Sequence, residues 1–306
     1  MIVAEELAHP GVFQVLEPIG KAVDHFLRDD MGIKLDRMET IAHPQEDYLL
    51  ASEKFPIFVV ADGVTLEFGT DGTYPNPSGA GKLARIFCEA IIREAEARFF
   101  AFTENDVAEI FSVANKAVGE YNTEEGRTKE ASNFWDFDLF AATAAFAVVK
   151  GDVVYWASLC DAYMVRLGVA GEIVFQSPVC WPQTRKETYL PKDWGSVPED
   201  EKKKTIRRIY RNGLDEQGEP NGYGVTTGET AACRYLNIGT FELKEGEKLL
   251  LISDGFEEYI KLPEFRALFR EYSDDLQERV SAFTTQKAKE DGVKYGHERS
   301  VIAYFQ

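Results

Sequence analysis

Two phrases constrain this chain most: Phe58-Val59-Val60-Ala61-Asp62-Gly63 and Leu249-Leu250-Leu251-Ile252-Ser253-Asp254-Gly255. Each is an apolar run of strand type that ends abruptly in Asp-Gly. Such a run belongs inside a sheet buried on both faces, where an unpaired carboxylate is costly. Placing the Asp at the strand end carries it to the rim of the sheet, where a cation can neutralise it. The adjacent Gly lets the backbone turn sharply and brings its carbonyl close to a ligand. One such phrase is a turn; two, far apart in sequence, imply strands converging on one site.

With 306 residues, the chain is long enough for one large domain or two ordinary ones, and 44% hydrophobic residues can fill a sizeable core. It has 52 acidic against 34 basic residues, a net charge of −18 that repels phosphate backbones and argues against nucleic acid as a partner. No stretch reaches the apolar length that spans a bilayer, and the early acids Glu5 and Glu6 argue against a secretory leader. Cys88, Cys160, Cys180 and Cys233 lack metal-ligand spacing and read as buried thiols of a reducing cytoplasm.

No repeat, low-complexity tract or linker divides the chain, so 1–306 reads as a single domain. Residues 1–40 form an N-terminal extension with a short amphipathic piece near Val23–Leu27, and 180–222 a charged, loop-rich insertion. Strand patterns fall at about 47–51, 57–61, 139–150, 153–159, 163–167, 172–176, 239–243, 248–252 and 300–305. Helical spacing covers 81–100, then a stretch opened by a Thr103/Asp106 capping box that runs to about 121, then 263–270 and 274–290. The strands from 139 to 176 read as one antiparallel meander, because their connections are too short for parallel crossovers. Helix pairs interrupting antiparallel strands give an α+β sandwich.

Two further acidic sites sit at strand edges: Glu46-Asp47 opens a strand, and Asp161 closely follows another. Carboxylates titrating near pH 4 are hard oxygen ligands for Mg²⁺ or Mn²⁺. Two such ions about 3.5–4 Å apart can clamp a phosphoryl oxygen and activate water without a covalent nucleophile. A single Asp-Gly is ordinarily only a turn; four acidic sites at the ends of apolar runs point to a metal centre.

The order Gln45-Glu46-Asp47, Val59-Val60-Ala61-Asp62-Gly63, Cys160-Asp161-Ala162 and Leu251-Ile252-Ser253-Asp254-Gly255 resembles the metal-dependent protein serine/threonine phosphatases of type 2C. Ala141–Ala145 stands at the family's Gly-Ser/Thr-Thr-Ala strand. Arg207-Arg208-Ile209 and Asn221–Val225 resemble its flap and the strand after it. The resemblance, over roughly residues 40–306, implies a four-layer α/β/β/α sandwich with two central antiparallel sheets and a dinuclear Mn²⁺/Mg²⁺ centre. It implies hydrolysis of phosphoserine and phosphothreonine in protein substrates by a metal-bridging hydroxide. Asp62 would bridge the ions, the Gly63 carbonyl and Glu46 would ligate one, Asp254 the other, and Asp47 would hold metal-bound waters. Asp161 matches the position of a third, weaker ion.

Three departures stand out. At the family's last Asp ligand the chain reads His297-Glu298-Arg299-Ser300, so His297, or Glu298 by a register shift, would have to serve. The phosphate-binding Arg expected before Glu46 is Ala42, leaving Arg37 or His43 as substitutes, and Val64-Thr65-Leu66 replaces the Gly-Gly after Asp-Gly. A regulatory or binding module with an impaired metal site, and a small-molecule phosphatase, remain as alternatives. A dehalogenase-type aspartyl nucleophile is excluded because position 60 is Val. Gly79-Ala80-Gly81-Lys82 lacks the Ser or Thr of a P-loop, since Leu83 follows, and reads as a helix start. The basic patch over 200–211 reads as a solvated flap helix or a substrate-facing surface.

Overall fold

The computed structural model describes residues 12–17, 46–64, 77–135, 137–179 and 196–306. Two five-stranded sheets are wholly antiparallel. One contains β2 (Tyr48–Ala51), β3 (Ile57–Gly63), β4 (Ala142–Lys150), β5 (Val153–Leu159) and β8 (Asn237–Glu242), in that spatial order. In the other, β1 (Val12–Glu17) is followed in space by β10 (Arg299–Phe305), β9 (Lys248–Ile252), β6 (Tyr163–Leu167) and β7 (Ile173–Gln176).

The two-residue period of the strands sorts side chains into three apolar layers. Ile57, Val59 and Ala61 of β3 pack with Leu83, Phe87 and Ile91 of α1 (Gly79–Arg98) and Phe111 of α2 (Glu104–Glu124). Phe58 and Val60 point the other way and meet Leu249, Leu251 and Ile302 of the second sheet. The outer face of that sheet, with Leu250 and Ile252, packs on Phe256, on Tyr259 of α4 (Glu257–Ile260), on Phe265 of α5 (Pro263–Arg266) and on Val280 of α6 (Leu276–Glu290). Helices, sheet, sheet and helices therefore stack in that order. The central strand β4 is buried on both faces and rich in Ala, which lets both neighbouring layers approach closely.

Local signals set the helix ends. The Ser78 hydroxyl caps α1 by accepting the Gly81 N–H at 3.0 Å, so the glycine-rich phrase before Leu83 is a helix start. Thr103 donates its N–H to Asp106 Oδ2 at 2.8 Å, the reciprocal half of the capping box. Helix α3 (Glu199–Thr205) continues into a wider π-type turn over Ile206–Tyr210. A last short helix, α7 (Gly292–Tyr295), precedes β10.

Three sequence readings change. The meander over 139–176 is split: β4 and β5 lie in one sheet, β6 and β7 in the other. The chain crosses over Cys160-Asp161-Ala162, with Cys160 in the left-handed region at φ 63°. Alternation alone reads the same whether the next strand stays in its sheet or crosses to the facing one. Likewise Lys244–Glu247 links β8 and β9 across the sheets. Within the supposed N-terminal extension, Val12–Glu17 forms a strand paired along its length with β10. Val23–Leu27 lies outside the described residues, as does Cys180. Cys88 and Cys160 are buried, but Cys233 is exposed because its short 3₁₀ turn (Thr230–Tyr235) runs over the surface.

Candidate active site

Register alone brings the acidic residues to one end of the sandwich. In one sheet Tyr48 pairs with Ala61, Ala61 with Ala144, and Ala144 with Leu159, so the start of β2, the end of β3, the start of β4 and the end of β5 coincide. In the facing sheet Tyr163 and Val301 both pair with Ile252, aligning the start of β6, the end of β9 and the start of β10. Glu46-Asp47, Asp62, Asp161, Asp254 and Glu298 all lie within two residues of those strand ends. Gly63 donates its N–H to the Glu46 carbonyl at 3.2 Å. A Cβ on Gly63 would come within 3.0 Å of Ala80 at the start of α1, and one on Gly255 would strike the Glu298 carbonyl at 1.8 Å. The turn at Gly255 therefore needs glycine for close approach, and Gly63 sits in a tight contact.

The buried carboxylate of Asp47 is the best-tethered member. Its Oδ2 accepts the hydroxyls of Ser253 and Ser300, each at 2.7 Å. Ser253 Oγ in turn accepts the Ser300 N–H at 2.8 Å. Glu298 Oε1 accepts the backbone N–H groups of Glu46 and Asp47, both at 2.7 Å. Asp62 completes the chain of contacts, sharing side-chain hydrogen bonds with Asp47 and with Asp254.

Burial, and after it the crowding of carboxylates, raises the pKa values here. Burial pushes Asp47 up to about 6 against the opposing hydrogen bonds from Ser300, Ser253 and Asp62. Burial followed by repulsion from Asp47, Asp254 and Asp161 holds Asp62 well above the carboxylate range. Asp254 reaches solvent on its outer side, yet protein packed around it, then Asp161 and Asp47, raise it to about 7. Glu298 rises to about 9 through burial and the charge of Asp47. Such a cluster carries more negative charge than its surroundings neutralise.

Thus Glu46, Asp47, Asp62, Gly63, Asp161, Asp254 and Glu298 are brought together, while His297 differs. Its ring is exposed, and its carbonyl accepts the Arg299 guanidinium at 2.8 Å. Among the described residues, no three His, Cys, Asp or Glu side chains stand in a metal-ligating arrangement. The donor chemistry nevertheless fits a hard divalent cation: oxygen ligands only, desolvated and short of positive charge. Arg37 and His43 lie outside the described residues. Ser253 and Ser300 escaped the sequence reading; their one signal is that Ser253 adjoins Asp254 and Ser300 follows Glu298 by two residues.

The basic segment is partly structural. Arg211 forms a two-pronged ion pair with buried Asp138, at 2.7 and 2.9 Å, and Arg207 donates to the Trp135 carbonyl at 3.0 Å. Only two residues separate Asp138 from Ala141, whose carbonyl accepts the Val64 N–H beyond Asp62-Gly63. The root of the flap is therefore fastened beside the acidic end.

Comparison with solved structures finds the same fold at low identity. A bacterial serine phosphatase is 13% identical, with 96% of this chain and 97% of that chain covered and a TM-score of 0.54. PppA of Pseudomonas aeruginosa, described as a key regulatory component of T6SS, is 13% identical over 96% and 97%, with a TM-score of 0.52. The catalytic domain of the serine threonine protein phosphatase PstP, in complex with two manganese ions, is 14% identical over 96% and 98%, with a TM-score of 0.51. No curated protein sequence matches the chain significantly. The sequence model of the family described as protein phosphatase 2C matches residues 41–289. With most of its length matched and its strand ends arranged as described, the chain belongs to the protein phosphatase 2C family.

Proposed function

We propose that this protein hydrolyses phosphoserine and phosphothreonine in protein substrates with the help of two Mn²⁺ or Mg²⁺ ions. The observation that carries this reading is the convergence of Asp62 and Asp254, from distant parts of the chain, at one carboxylate-rich end of the sandwich. Asp62, which neighbours both Asp47 and Asp254, would be a ligand common to the two ions, and Asp254 and the Glu46/Gly63 pair would supply further ligands. When bound, the ions supply Lewis-acid chemistry, polarising the phosphoryl group and lowering the pKa of water. Asp47, fixed by Ser253 and Ser300 through Oδ2, would hold metal-bound waters. Asp161, on the crossing between the sheets, is available to a third, weaker ion.

A cytoplasmic setting belongs to the same reading: among the described residues none of Cys88, Cys160 and Cys233 is in a disulfide. No described helix is long and apolar enough to cross a membrane. A second reading, a binding or regulatory module with an impaired metal site, is favoured by one observation. His297 is exposed and Glu298 Oε1 is engaged by backbone N–H groups, so the family's last ligand has no settled replacement.

Hydrolysis of an aryl phosphate and a phosphothreonine peptide, with and without Mn²⁺, separates the two readings. The phosphatase reading requires Mn²⁺-dependent turnover that is lost in Asp62→Asn. A folded, inert wild-type protein would favour the regulatory reading.

A further inference from the structure

Strand β4 carries one hydroxyl that the proposed chemistry has not yet used. Thr143 is 1% exposed, and its Oγ1 has no hydrogen-bond partner. It pairs directly with Asp62 across β3 and β4. Opposed residues of an antiparallel pair point to the same face, with Cβ atoms about 4.5–5.5 Å apart. That face is the gap between the sheets: Phe58 and Val60 precede Asp62 on it, and Ala145 and Ala147 follow Thr143. Its alternating neighbours Ala61, Ala142 and Ala144 belong to the helix-side core instead.

A buried hydroxyl without a partner costs about 1–3 kcal/mol, and Val would fill the same volume without that cost. The position holds Thr, whose β-branch fixes the side chain to few rotamers, beside the most central carboxylate of the cluster. We infer that Thr143 is a positioning residue: its hydroxyl donates to the Asp62 carboxylate and aims it at a divalent cation. This rests on the phosphatase reading and adds a requirement to it. The facing position in the strand pair makes this hydroxyl the donor at hand for Asp62, and a hydrogen bond to a carboxylate is of the stronger, charge-assisted kind. The hydroxyl is preset for the loaded site.

The test uses the full chain and Mn²⁺ alone. Mn²⁺ affinity is measured by calorimetry, and metal-free stability by urea unfolding, for wild type, Thr143→Val and Thr143→Ser. The expected result is Mn²⁺ binding weakened about 10-fold or more in Thr143→Val, restored to within about threefold in Thr143→Ser, with metal-free stability unchanged or raised in Thr143→Val. A Thr143→Val protein that binds Mn²⁺ like wild type overturns the inference and leaves the phosphatase reading standing. One that unfolds, or loses metal-free stability in step with affinity, also overturns it, because the hydroxyl is then structural. A wild-type protein that binds no Mn²⁺ overturns both.

Discussion

Glu298 grips Asp47 through the backbone: its Oε1 accepts the Asp47 N–H, together with that of Glu46, at 2.7 Å, across 251 residues of sequence. The residue beside the family's last ligand position thus ties the entry of β10 to the entry of β2. Burial and the charge of Asp47 raise Glu298 to about 9, well above the ordinary carboxylate range. Glu298→Gln preserves both size and acceptor and is expected to change stability by less than about 1 kcal/mol. Glu298→Ala orphans two backbone N–H groups and should cost about 2–4 kcal/mol. Urea unfolding of the two variants measures the difference.

Metal-free stability should fall as pH rises. Asp47 and Asp254 have folded pKa values of about 6 and 7, above the ordinary 3.8. Between those limits the folded state binds more protons than the unfolded chain, so their contribution is full below about pH 4 and lost as pH rises through 6 and 7. From pH 5 upward the low-pKa carboxylates elsewhere, such as Asp138, stay ionised and add no slope. Thermal melts at pH 5, 6, 7 and 8 should show a declining Tm, flattened by saturating Mn²⁺. A Tm that climbs across this range would contradict the placement.

Asp62→Asn should separate stability from binding. Neutralising the centre of the cluster relieves the repulsion with Asp47 and Asp254. Metal-free stability at pH 8 should rise by on the order of 1 kcal/mol, while Mn²⁺ binding and hydrolysis disappear. Paired unfolding and calorimetry on one preparation test both halves.

The root of the flap depends on a buried ion pair. Burial alone would raise Asp138, but Arg211, Ser132 and Arg207 hold it below its ordinary value. Arg211→Ala leaves that carboxylate buried and uncompensated and should cost about 3–5 kcal/mol. Arg211→Lys keeps the charge without the two-pronged geometry and should cost less. Equilibrium unfolding, with limited proteolysis of the segment 196–222, reads both effects.

Much of the site is legible in the sequence because its physics is local. An apolar run that ends in Asp-Gly can carry its carboxylate only at the sheet rim, and β3 and the Ser253–Gly255 turn place Asp62 and Asp254 there. The capping signals at Ser78 and Thr103 likewise act within one turn. The exposure of His297 was not legible, because a position in a motif fixes where the backbone passes, not how the side chain is turned.

By itself the sequence determined the strand and helix periods, the acidic strand ends and the family. Tertiary structure decided the rest. Antiparallel register set Asp62 opposite Thr143, and the crossing at Cys160 carried β6 into the second sheet beside β9. Packing of the two sheets put the Ser253 and Ser300 hydroxyls against Asp47. The physical reason is separation along the chain. Periodicity and capping are settled within a few residues, whereas a hydrogen bond between Ser300 and Asp47 exists only once two sheets have closed on each other.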